Sequence, residues 1–188
     1  MEKTAYTLIA NIGQVKKNSL CKSPMNGDPM FDQAINKFMN EAITLSEKNL
    51  EMMHGGPFGA VVVKDGRIIG RGYNRVILTN DPTAHAEIIA IRDACNNLKS
   101  FLLEGCDIYS SCEPCPMCLG AIYWSRPRKL FYGATRHDAE LIGFDDYFFY
   151  QEMEKSEERR VIKTVRIMRD EALKVFQEWE KIPWKPVY

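Results

Sequence analysis

Net charge is the first thing this chain lacks. Lys and Arg together number 25 and so do Asp and Glu, and no basic run extends beyond Arg126-Pro127-Arg128-Lys129. A nucleic-acid partner is recognised through a positively charged footprint on phosphate, so that class of partner is disfavoured. Long apolar runs are missing too. Nothing approaches the ~20 residues of a membrane span, and the opening MEKTAYTLIANIGQVKK holds no uninterrupted apolar core of signal-peptide length. The expectation is a soluble, cytoplasmic protein without a membrane partner. There is no internal repeat, no low-complexity tract and no clear domain boundary. Histidine is scarce, at three residues, and of the six cysteines three are crowded into SCEPCPMC, Ser111 to Cys118. In a reducing compartment such crowding marks metal ligands or redox groups more often than disulfides.

What is present reads as alternating strands and helices. Residues 1–29 are polar and aperiodic, an extended or mobile leader, and a single domain follows over 30–188. Phe31, Ile35, Phe38, Ala42 and Leu45 recur at helical spacing, with Asp28 and Pro29 as start signals and Gly55-Gly56-Pro57 as the stop. GAVVVKDGRIIGRGYN gives two β-branched runs joined at Asp65-Gly66, a hairpin signal. A helix follows from Asp81-Pro82-Thr83 through HAEIIAIRDACNNL. Next come a strand over 107–111, a helix over 114–125 and a strand over 129–134. VIKTVRIM and DEALKVFQEWEKI read as a final strand and helix. This order predicts a three-layer α/β/α domain with a five-stranded mixed sheet.

Pro114 suits the first position of a helix, which would place Cys115 and Cys118 in its opening turn. Residues three apart share a helix face, and a helix N-terminus stabilises thiolates, so both sulfurs can reach one ion. Cys112 falls at a strand end, where a free cysteine packs as a small apolar group. Two thiolates need a further ligand to hold zinc. His85, just inside a second helix start, has the best context of the three histidines. Cys2His leaves one tetrahedral position open, as in a catalytic site. Glu87, two residues on, is the candidate base. A lone C-x-x-C is a redox pair or a structural zinc half-site more often than a catalytic one, and a lone HAE is an ordinary piece of helix. H-x-E followed by P-C-x-x-C, both at helix starts, is the signature of zinc deaminases.

Through GGPFGAVVVKDG, NDPTAHAEIIAIR, CEPCPMCLGAIYW and GFDD the chain resembles the cytidine deaminase-like superfamily, and within it the bacterial guanine deaminases. The resemblance implies zinc held by His85, Cys115 and Cys118, with water as fourth ligand, Glu87 as proton shuttle, and guanine hydrolysed to xanthine and ammonia. It further implies that Asn74 hydrogen-bonds the purine base, that Phe58 stacks on it and that Trp124 lines the pocket. Asp146, in GFDD, would bind the amino group and relay a proton to it. It also implies a homodimer in which the segment 150–188 is exchanged, so that Tyr188 closes the partner's pocket. Rival readings are a guanosine deaminase, a tRNA adenosine deaminase, and a catalytically silent zinc-binding subunit. The last would be expected to lack Glu87.

Overall fold

The computed structural model describes residues 29–186. The expected leader lies outside them except for Pro29, which opens the first helix, and Tyr188 lies outside as well. Helix α1 (Pro29–Met52) leads into strands β1 (Gly59–Lys64) and β2 (Arg67–Tyr73), joined by a two-residue turn. Asp65 and Gly66 both take positive φ there, at 48° and 73°. Both central residues of a type I′ hairpin turn need such angles, which explains the Asp-Gly pair. After the short α2 (Val76–Thr79) come α3 (Ala86–Leu98), β3 (Asp107–Cys112), α4 (Pro116–Ser125) and β4 (Lys129–Ala134). Helices α5 (Arg136–Leu141), α6 (Asp146–Glu154) and α7 (Arg169–Glu180) complete the order.

The sheet runs β2-β1-β3-β4, with β1 antiparallel to both its neighbours and β3 parallel to β4. Alternation along the strands divides the core into two layers. Ala60, Val62 and Ile108 face α3 and α4, packing with Ala90, Ile91 and Ile122. Val61, Val63 and Tyr109 point the other way, onto Phe38 of α1. The three layers are thus those expected. Helix α3 lies unusually close to β2 because Gly72 has no side chain: a Cβ there would stand 2.0 Å from the Ala86 carbonyl oxygen and 2.5 Å from the Ala90 nitrogen.

The described residues form four strands, not five. VIKTVRIM is irregular, and its Val161, Ile162, Val165 and Ile167 are 67–81% exposed. Strand propensity reports fitness for a half-buried surface and does not supply one. The fourth helix also starts later than expected, at Pro116, with Cys115 as its N-cap, because the prolines at 114 and 116 both resist helix interiors.

The sheet's register positions the site. Gly59 pairs with Tyr73 and Ala60 with Ser110, so Phe58, Asn74 and Cys112 all emerge at the same end of the sheet. The Gly59 N–H donates to Ser111 Oγ at 3.0 Å and locks that end.

Candidate active site

Two helix N-termini meet beyond this end of the sheet. His85 is the N-cap of α3 (φ −70°, ψ 158°) and Cys115 the N-cap of α4 (φ −64°, ψ 167°), both in extended backbone. His85 Nδ1 lies 3.5 Å from Cys115 Sγ and 3.6 Å from Cys118 Sγ. A tetrahedral ion with zinc–nitrogen and zinc–sulfur bonds of about 2.0 and 2.3 Å would set such atoms about 3.6 Å apart. All three ligand atoms lie within 4.8 Å of one another. This donor set therefore fits a zinc ion without rearrangement and leaves a fourth position free. The extended N-cap also explains how His85 and Glu87, two residues apart, serve one place. His85 precedes the helical turn and Glu87 lies within it, so helical phase does not separate them.

The charges follow from this geometry. In the metal-free cluster the hydrogen bond from Cys118 pulls the Cys115 thiol down to about 4, while Cys118 is held well above the usual thiol range by that same contact. His85 is raised, chiefly by its hydrogen bond to Cys115. Glu87, only 6% exposed, is raised by desolvation, and Ser110 Oγ donates to its Oε1 at 3.2 Å. Glu87 Oε2, 3.4 Å from Cys118 Sγ, is the alternative acceptor for that thiol's single proton. Cys112 stands apart. It donates to the Thr135 carbonyl at 3.5 Å, and burial pushes its thiol up to about 12.

A cavity of about 540 Å³ opens onto this cluster and is lined by Asn74, Phe58, Phe144, Asp146, His85 and Glu87 among others. Asn74 is buried. Its Oδ1 accepts from the Val76 N–H at 3.1 Å, so it is both a turn residue and a pocket residue. Asp145 caps α6 by accepting from the Phe148 N–H at 3.0 Å, which leaves Asp146, the first residue of that helix, facing the cavity. Burial raises the carboxyl of Asp146.

Residues 32–134 match the model of the cytidine and deoxycytidylate deaminase zinc-binding region. The chain belongs to this zinc-dependent deaminase family. It is 50% identical over 151 residues to the guanine deaminase of Bacillus subtilis, covering 80% of this chain and 97% of that protein. The crystal structure of the Bacillus enzyme superposes with a TM-score of 0.79 at 50% identity, over 81% of this chain and 98% of that one. A guanine deaminase structure from Nitrosomonas europaea gives 0.56 at 32% identity, over 81% and 92%. The tRNA-specific adenosine deaminase of Haemophilus influenzae is 44% identical over 123 residues, 62% of this chain and 69% of that protein.

Within the deaminase cavity, most of the residues singled out from sequence come together. Trp124 does not. It is 66% exposed on α4 and lines a separate depression with Phe101 and Ile91, because the helical turn that brings Cys118 inward carries position 124 to the outer face. Three features of the site escaped sequence reasoning. Phe144 stands edge-on to Phe58, with ring centroids 4.8 Å apart at 80°. Ser110, on β3, supports Glu87. Asn49, on α1, reaches the pocket from the other side of the sheet end. An aromatic inside GFDD was the one available cue for Phe144. Ser110 and Asn49 carry no local signal at all.

Proposed function

We propose that this protein hydrolyses guanine to xanthine and ammonia in the cytoplasm. The observation that carries the reading is a buried carboxyl, Glu87, set against a His-Cys-Cys cluster of zinc geometry at the floor of a cavity holding Asn74 and Asp146. His85, Cys115 and Cys118 would hold a zinc ion, which when bound would supply a nucleophile at neutral pH by lowering the pKa of water from 15.7 to about 7. The chain's own residues do the rest. Glu87, whose burial favours its protonated form, accepts a proton and delivers it to the ring nitrogen beside C2. Asn74 offers its amide NH2 to the lactam face of the base, since its Oδ1 is engaged by the Val76 N–H. Phe58, braced by Phe144, stacks on the ring. The proton left on the new C2 hydroxyl then passes through Glu87 and Asp146 to the departing amino group, which Asp146 holds, so that ammonia leaves and C2 keeps a carbonyl oxygen.

The active form in this reading is a homodimer with the segment 150–188 exchanged. Two observations support it. Ile162, Phe176 and Trp184 are 69–82% exposed on a single chain, and an apolar trough of about 960 Å³ runs from His85 and Cys115 along Phe148, Phe149 and Met153. Among the described residues no helix is long and apolar enough to cross a membrane, and the five described cysteines are free.

Ammonia release by zinc-loaded protein tests the reading, with guanine and guanosine as paired substrates and a tRNA anticodon hairpin alongside. Guanine is the preferred substrate, and Glu87→Gln lowers kcat by about 10²–10⁴-fold while keeping a full equivalent of zinc. Turnover of the hairpin alone would sink the assignment.

A further inference from the structure

Asn49 sits in the last turn of α1 and is fully buried, yet its amide serves no group of its own helix. Its Nδ2 donates to the Gly56 carbonyl at 2.6 Å and to the Asn74 carbonyl at 3.0 Å. The Phe58 N–H donates to that same Gly56 carbonyl at 2.8 Å, and the Asn74 N–H donates to the Phe58 carbonyl at 3.1 Å. These four bonds close a ring through Asn49, Gly56, Phe58 and Asn74. The ring joins two segments that are separate in sequence, the loop before β1 and the end of β2. Little slack remains inside it: a Cβ on Gly55 would stand 2.0 Å from Asn74 Oδ1.

We infer that Asn49 is a positioning residue for the base pocket, fixing the separation and tilt of the Phe58 ring against the Asn74 amide. The inference rests on the proposed function for the identity of the base, since those are the two groups assigned to hold it. An amide suits the position because one nitrogen carries two donors and serves two carbonyls, one buried and one part-buried. Asn49 Oδ1 has no partner among the described residues, a costly arrangement for a buried acceptor. Packing alone would be better served by an apolar side chain of similar size. Carboxylate at this position would turn an oxygen and a charge toward two carbonyl oxygens, and a hydroxyl offers one proton from a shorter stem.

Asn49→Asp and Asn49→Ser, each compared with the unmodified protein in zinc-loaded form, test this. In Asn49→Asp, which loses both donated bonds, KM for guanine rises about tenfold or more, with kcat nearly unchanged and zinc retained. Asn49→Ser falls between, and it decides the matter if Asn49→Asp does not fold. Amide hydrogen exchange at Phe58 and Asn74 accelerates in both variants. A fall in kcat with KM unmoved, or exchange at those two amides as slow as in the unmodified protein, overturns the inference. Should the unmodified protein release no ammonia from guanine, the proposed function fails instead. The exchange measurement still decides whether Asn49 holds the two segments together.

Discussion

Two stretches of this chain are written in the same vocabulary and end in opposite places. GAVVVK in β1 and VIKTVRIM at 161–168 are both β-branched runs, yet Ala60, Val61 and Val62 are wholly buried while Val161 and Ile162 are 67% and 81% exposed. Helix α3, after the first hairpin, seats Ala90 and Ala94 in the core; α7, after the second run, buries none of its residues. The difference lies in what each stretch meets. The first has α1 on one side and α3 on the other, and the second has no covering layer among the described residues. Composition thus sets how much surface a segment could bury. Partnership decides whether it does.

The sharpest contrast inside the well-packed region is between neighbouring cysteines. Cys115→Ala removes a ligand atom, so zinc is lost and ammonia release falls to background, whereas Cys112→Ala keeps zinc and most activity. Metal analysis beside the kinetic assay reads both. In metal-free protein at pH 7 the two thiols also part by reactivity. Cys115, drawn down to about 4 by its hydrogen bond from Cys118, is a thiolate; Cys112, pushed up to about 12 by burial, remains a thiol. Since the thiolate is the nucleophile, iodoacetamide marks Cys115 first and zinc protects it. A full equivalent of zinc in Cys115→Ala would break the ligand assignment.

The next largest effect concerns packing. Gly72→Ala drives a methyl group into the backbone of α3, where the Ala86 oxygen and Ala90 nitrogen cannot step aside as a flexible side chain would. The expected loss is about 3 kcal/mol, at the upper end of overpacking costs, read as a lower urea midpoint. The same helix carries His85 and Glu87, so zinc affinity should fall with it. A variant as stable as the original would mean that α3 does not lie as close to β2 as described.

Why the sequence disclosed one region better than the other follows from the range of its signals. The Asp65-Gly66 turn, the alternation in β1 and the spacing from His85 to Glu87 and from Cys115 to Cys118 are local, and each was legible. Even there the helix start was misplaced by two residues, because Pro114 and Pro116 offer the same cue. Trp124 lies outside the cavity of its own chain, since a motif carries its neighbours along without saying which face they take. Ser110 and Asn49 act through contacts 23 and 25 residues away in sequence, which no local pattern encodes. The fifth strand failed for a related reason: alternation in VIKTVRIM is real, but the partner it requires is not an attribute of the segment.

That last failure can be turned into a measurement. Phe176, on α7, is 69% exposed in a single chain. If it stays so in solution, Phe176→Ser changes unfolding by no more than about 0.5 kcal/mol, as surface substitutions do. If a second copy covers it, the variant forfeits the ~1.5–3 kcal/mol of a buried phenylalanine from the assembly, and the dimer dissociation constant rises roughly tenfold or more. We expect the second result. Sedimentation over a concentration series measures it directly, and the same variant assayed below the dissociation constant should lose guanine turnover in step with the dimer. Unchanged sedimentation together with unchanged turnover would remove the case for an exchanged segment, and would leave 155–186 as a surface whose β-branched vocabulary serves something other than this site.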